Sequence, residues 1–196
     1  QFARNTLQMN NGNGSFSEIA QLAGVDKTDW SWTAFFADFD NDGWQDLFVT
    51  NGYRQDITNM DFATYSRQLN SSPIGTEKAK VRQMMAKLKE LPEIKLPNYI
   101  FKNTGEFPFQ NKTKDWGFDH ASYSNGAAFA DLDNDGDLDL VVNNIDEKAF
   151  LYQNTLNDQT TTANHYLRLQ LKGLSPNTQA IGAKVKLSLG DQQQHR

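Results

Sequence analysis

There is no cysteine among the 196 residues, which excludes disulfides, thiolate zinc sites and cysteine nucleophiles. Positive charge is not in excess either: 19 Lys and Arg face 24 Asp and Glu, for a formal net charge of −5. A nucleic-acid partner needs a basic surface, and none is expected from these totals. No apolar run approaches the roughly 20 residues that cross a bilayer, so no transmembrane segment is expected. The opening "QFARNTLQMN" lacks the basic head and apolar core of a secretion signal, and it is expected to continue a domain that begins earlier. A phosphate-cradling glycine loop is missing too; "NNGNG" at 10–14 is hairpin chemistry. His120, His165 and His195 share no motif with a serine or a carboxylate pair. Nothing therefore points to an enzyme. Hydrophobic residues at 38% and aromatics at 12% suffice for a packed core.

What the chain does have is a repeat. Laying Asp38 over Asp131, 93 residues on, superposes "AFFADFDNDGWQDLFVTN" on "AAFADLDNDGDLDLVVNN". The register holds without a gap back to Asn5 over Asn98 and Asn10 over Asn103, with Phe16 on Phe109 and Gly24 on Gly117. A third, partial copy places "FLYQN" (Phe150 to Asn154) over "YIFKN" (Tyr99 to Asn103), a step of 51. The unit is about 50 residues, and the first copy carries about 40 extra. "TAFFAD", "DLFVT", "YIFKN" and "DLVVN" are short, rich in β-branched and aromatic residues, and bounded by Asn, Asp and Gly. The fold class expected is all-β, and a unit of this length with four short strands fits a propeller blade.

The extra segment, about 53–96, has a different texture. Val81, Met84, Met85, Leu88 and Leu91 recur at helical spacing and predict one apolar face. Thr76 is placed to cap that helix, Glu77 suits its first turn, and Pro92 ends it. "DITNMDFATYSRQL" before it is a weaker helix candidate. The basic residues of the second helix are expected to form a solvated face, with a partner surface as the alternative. After Leu156, "TLNDQTTTAN" is linker-like, and "HYLRLQLKG" and "IGAKVKLSLG" alternate like strands.

The chemistry lies in "DxDxDGxxD", which occurs twice: Asp38, Asp40, Asp42 and Asp46, then Asp131, Asp133, Asp135 and Asp139. Alternate positions let three carboxylates converge if the chain curls around a point, and Gly43 and Gly136 at the sixth position permit that turn. The seventh residues, Trp44 and Asp137, are expected to offer their backbone carbonyls, with the Asp137 side chain pointing outward. The ninth, Asp46 or Asp139, is expected to close the cage. So many carboxylates repel one another unless a cation intervenes. An oxygen-only set without His or Cys selects calcium or magnesium, and a flexible carboxylate loop favours Ca2+. About two ions are expected, which would bring the formal charge from −5 to −1. An EF-hand would need Glu at position 12, where this chain has Val49 and Val142.

These motifs resemble the FG-GAP/VCBS repeat, the blade of integrin-α-like calcium-binding β-propellers, over about residues 5–52 and 97–154. The resemblance implies that the calcium loop joins the first two strands of a blade. It also implies that the chain begins in the last strands of one blade, holds a complete blade with a helical insertion, and ends its repeats partway through another. Residues 164–190 resemble the start of an ASPIC/UnbV domain. The expected layout is therefore propeller blades over 1–155, then a linker and a C-terminal β segment over 156–196. The implied setting is extracellular, cell-surface or periplasmic, and the implied role is an adhesion or binding scaffold, with calcium structural and a protein or glycan as ligand. Trp30, Trp32, Trp44 and Trp116 are candidate sugar-facing rings, Trp44 the best exposed of them, although blade packing competes for such residues. The alternative is a non-catalytic accessory domain of a secreted polysaccharide-active enzyme. Propellers close with about four to eight blades and these are too few, so the expectation is either that the ring continues outside this sequence or that a sheet edge is left open to edge-to-edge self-association.

Overall fold

The computed structural model describes residues 4–56, 59–158, 165–189 and 192–195. The chain opens with a hairpin of β1 (Gln8–Asn10) and β2 (Phe16–Glu18), followed by a single helical turn, α1 (Ala20–Ala23). Next come β3 (Ser31–Ala37) and β4 (Asp46–Asn51), then two helices, α2 (Met60–Ser71) and α3 (Glu77–Leu88). After these follow β5 (Leu96–Pro97), β6 (Tyr99–Lys102), β7 (Gln110–Asn111), β8 (Ala121–Ser122), β9 (Ser124–Ala130), β10 (Asp139–Asn144) and β11 (Phe150–Tyr152). A last hairpin pairs β12 (Lys186–Leu189) with β13 (Gln192–His195).

Two antiparallel sheets carry the architecture: β3-β4-β6-β7 and β9-β10-β11. In the repeat register β3 and β4 correspond to β9 and β10, and β6 to β11. The β1-β2 hairpin stands where β6 and β7 stand one unit later. The protein is thus mostly β and built of partial propeller blades: the outer pair of one, the whole of a second, and three strands of a third. Among the described residues no sheet closes into a barrel.

The alternation of side chains along β4 explains how the layers stack. Leu47 and Val49 face α1 and pack with Ala20, Ala23, Val25 and Phe101. Phe48, between them, faces the next blade and joins Ala37, Phe39, Ile100, Phe118, Leu140 and Val142. Aromatic contacts cross that interface: Phe35 and Phe129 ring centres are 4.9 Å apart, and Phe118, tilted against Phe48 at 5.4 Å, lies 4.6 Å from Tyr152 of β11. β10 repeats the pattern: Leu140 and Val142 are buried towards the first blade, while Val141 is exposed. A polar seam runs beside this core. Asn98 accepts from the Asn51 N–H (3.1 Å) and donates to Ser124 Oγ (3.0 Å), which in turn lies 2.7 Å from Asn144 Oδ1.

The insertion forms both helices. Thr76 Oγ1 accepts from the Ala79 N–H at 3.3 Å, as the capping pattern requires, and Asn59 caps α2. Its apolar face differs from the expected one. Met84, Leu88 and Leu91 are half-buried, but Val81 and Met85 are exposed, because Lys80 takes the buried position and its ammonium donates to Asn70 O. The ends of the insertion are clasped instead by charge: Arg54 pairs with Glu93 (3.0 Å) and with Asp146 (2.6 Å) in the β10–β11 turn, and Lys95 pairs with Glu147.

The C-terminal expectation needs one correction. "HYLRLQLKG" alternates, yet residues 165–173 contain no strand and their leucines are exposed; in the second segment β12 begins at Lys186. Alternation fixes which face a strand would bury, but a strand also needs a partner edge. Residues 166–168 run instead across one of the acidic loops described next.

Candidate metal centres

The hairpin corner between β3 and β4 is the first acidic loop, residues 38–45; that between β9 and β10 is the second, residues 131–138. Both turn in the same way. The fourth residue is left-handed (Asn41 φ 55, Asn134 φ 67) and so is the sixth (Gly43 φ 93, Gly136 φ 95). Asn tolerates that region, and glycine enters it without a Cβ penalty. The outcome is convergence: Asp38, Asp40 and Asp42 each place an oxygen within 4.8 Å of the others, and Asp131, Asp133 and Asp135 do the same. Local N–H groups hold the carboxylates in place. Gly43 N donates to Asp38 at 3.0 Å, Trp44 N to Asp42 at 2.8 Å, and Asp137 N to Asp135 at 3.1 Å.

The ninth residues stand apart from these triads. Asp46 is buried and accepts from the N–H groups of Phe39 (3.1 Å) and Asn103 (2.9 Å); Asp139 accepts from Leu132 (2.9 Å) and Asn154 (2.8 Å). Each ties the neck of its loop to the end of the third strand. Burial pushes the Asp46 carboxyl up to about 7. Asn103 and Asn154 complete the neck through their side chains. Asn103 donates to Gln45 O (3.1 Å); Asn154 donates to Leu138 O (3.4 Å) and across the blade interface to Phe39 O (2.8 Å). Sequence reasoning gave these asparagines no role, although Asn10, Asn103 and Asn154 coincide in the repeat.

At the seventh position the loops diverge. Trp44 is 52% exposed, with its ring laid against Gly105. Asp137 does not point outward, as expected, but is only 1% exposed. Asn157, twenty residues on, folds over the loop. Its N–H donates to Asp137 Oδ2 (3.0 Å) and its side chain to Asp135 O (3.2 Å). Desolvation pushes the Asp137 carboxyl up to about 6, and the Asp135 carboxylate lying against it adds to the effect.

The charges near each triad also differ. Lys102, at the end of β6, pairs with Asp40 and with Asp42 (2.8 Å to the latter). Burial lowers the affinity of its ammonium for the proton, but these carboxylates more than offset that and hold it above its ordinary range. The matching residue in the next unit is Gln153, a neutral amide that donates to Asp133 at 2.9 Å. The second loop is met by the segment after the blades: Arg168 pairs with Asp131 and donates to Asn134 (3.3 Å), and the Tyr166 ring covers Gly136. Three oxygens of this loop, Asp131 Oδ1, Asp135 Oδ2 and Asp137 Oδ1, are buried without a hydrogen-bond partner. Buried carboxylate oxygens left this way are costly. An all-oxygen set with oxygens to spare fits a hard divalent cation. The loops touch one another through Asn41, whose side chain donates to Gly136 O at 3.3 Å.

The remaining candidates lie elsewhere. Trp30 and Trp32 gather on Tyr53, at 4.7 and 6.1 Å between ring centres, and Trp116 is partly buried against the core. His120 packs edge-on against Phe150 at 5.2 Å. No helix among the described residues is long and apolar enough to cross a membrane.

Short antiparallel blades joined at acidic corners, repeated in register, define a protein of β-propeller-like repeats. The family model of the FG-GAP-like repeat matches residues 2–49 and again 95–142, so the chain carries the FG-GAP-like repeat twice. No curated protein matches the chain. Repeats of this family build propeller-like domains that can mediate binding and are generally non-catalytic.

Proposed function

We propose that the chain is a calcium-stabilised binding scaffold in which each acidic loop holds one Ca2+ and the blades present a surface to a protein or glycan ligand. The observation that carries this is the trio of buried, unpartnered oxygens on Asp131, Asp135 and Asp137, beside a carboxylate triad that has a counterpart at Asp38, Asp40 and Asp42. Asp38, Asp40 and Asp42 would hold the first ion and Asp131, Asp133 and Asp135 the second. The position-seven carbonyls of Trp44 and Asp137 would serve as further ligands, and Asp46 and Asp139 would brace the loops from behind. The ion supplies positive charge where the fold has concentrated negative charge, and binding only to the folded form adds stability.

Calcium is favoured over magnesium because a flexible carboxylate loop suits its looser geometry. Extracellular modules of this ligand type bind at roughly 10⁻⁴ to 10⁻³ M. Sites of that strength fill outside a cell or in a periplasm and stay largely empty in a cytosol, so the setting proposed is secreted or cell-surface. Residues 156–196 are proposed as a linker and the start of a further β domain of the ASPIC/UnbV kind. The test is calorimetry with calcium on chelator-treated protein, paired with thermal melts. Binding of two ions with a raised melting temperature is expected, and Asp133→Ala should remove the second loop's share. A melting temperature indifferent to both calcium and chelator would refute the proposal.

A further inference from the structure

We infer that Lys102 is a tethered competitor for the metal of the first loop, so that the two loops fill in order, the second ahead of the first. The inference rests on the loops being divalent-cation sites, as proposed above. It comes from what differs between two corners of otherwise equal build. The first triad already has a cation on it: the Lys102 ammonium touches both Asp40 and Asp42 and is only 22% exposed. A divalent ion entering there must displace an ammonium fixed to the adjoining strand, or share two carboxylates with it at close range. Either way binding is weakened.

The corresponding residue of the second unit, Gln153 just after β11, carries no charge, so an entering ion displaces from Asp133 only the hydrogen bond of a neutral amide. The second loop also has a carboxylate that the first lacks. Asp137 lies against Asp135 with Oδ1 unpartnered, where the first loop has Trp44. Arg168 does pair with Asp131, but it is 54% exposed, lies outside any regular element, and leaves Asp131 Oδ1 without a partner. Displaced Lys102 has somewhere to go. The cleft of about 900 Å³ between the blades is lined by Lys102 itself, by Asp40, and by Asp115, a carboxylate outside the triad.

Terbium serves as the calcium surrogate, since Trp44 belongs to the first loop and sensitises an ion bound there. Wild-type protein is titrated alongside Lys102→Gln, which gives the first loop the side chain found in the second, and Gln153→Lys, which does the reverse. Calorimetry with calcium counts total sites in all three. The expected result is two sites of unequal affinity, with the Trp44-sensitised signal rising in the weaker phase. Lys102→Gln should tighten that phase about tenfold and leave the other unmoved, while Gln153→Lys should weaken the tighter phase by a similar factor. Two sites with a Trp44-sensitised midpoint unmoved by Lys102→Gln would overturn the inference and leave the metal sites standing. Calorimetry showing no bound ion in any of the three proteins would overturn both.

Discussion

The first and second acidic loops have the same length, the same left-handed residues and the same carboxylate spacing, yet they are not equivalent. Trp44 sends its ring outwards against Gly105, whereas Asp137 turns inwards under Asn157. A half-buried Lys102 pairs with two carboxylates of the first triad, whereas the second has the neutral Gln153 on Asp133 and the exposed Arg168 on Asp131 alone. A repeat therefore specifies a backbone and a set of carboxylates, while residues outside the motif decide which charges and donors each corner meets. The first loop shares two of its carboxylates with Lys102. The second has Arg168 on Asp131 yet keeps three buried oxygens without a hydrogen-bond partner.

That contrast can be pressed experimentally. The largest effect expected is on calcium-dependent stability. With calcium at a hundredfold over its Kd a site contributes about 2.7 kcal/mol. Asp133→Ala should forfeit most of such a contribution, while Asp40→Ala should forfeit about half as much if the first loop fills after the second, as proposed, with Lys102 keeping Asp42 as a partner. Urea unfolding of both variants, with and without calcium, measures the difference; equal losses would erase the distinction between the loops.

The next effect concerns the loop necks. Asn154→Ala breaks side-chain bonds to Phe39, Leu138 and the Leu156 N–H, and Asn103→Ala breaks those to Gln45 and the Gly105 N–H. At about 1 kcal/mol per hydrogen bond, the former should cost about 1 kcal/mol more. Its bond to Phe39 crosses the blades, so its loss should also loosen the inter-blade core, which hydrogen exchange at Phe48 and Leu140 would register. A smaller effect is expected at the sixth position. Gly43→Ala and Gly136→Ala meet nearly the same φ and should each cost about 1–2 kcal/mol. Any excess at Gly136 reports the seat of Tyr166 on that loop, and melts of the two variants side by side would reveal it. Smallest of all is Met85→Ala on the exposed face of α3, expected within about 0.5 kcal/mol of the parent. A larger loss would mean that the insertion is packed against something.

Much of this was legible in the chain. The offset between Asp38 and Asp131 gave the blade register, because identical patterns of period two fold into matching strands. Gly43 and Gly136 announced the turn, and Thr76 announced the start of α3. The illegible features are those that depend on distant pairing. Lys102 lies far from Asp40 in sequence, and only the register that places Leu47 opposite Phe101 brings it to the loop. Asp137 is indistinguishable from a solvated aspartate until Asn157 folds back over it. Val81 and Met85 satisfied the helical period, but periodicity cannot tell whether a neighbour exists to bury them, and Lys80 took the inner place. The alternation of residues 165–173 went unused for want of a partner edge.

The most direct test of the proposed metal sites is diffraction from crystals grown with calcium, using anomalous scattering to identify the ion. The expected result is a calcium peak enclosed by Asp131, Asp133 and Asp135, and a second, of lower occupancy at limiting calcium, beside Asp38, Asp40 and Asp42. Both corners empty at saturating calcium, with Asp137 Oδ1 still unpartnered, would contradict it.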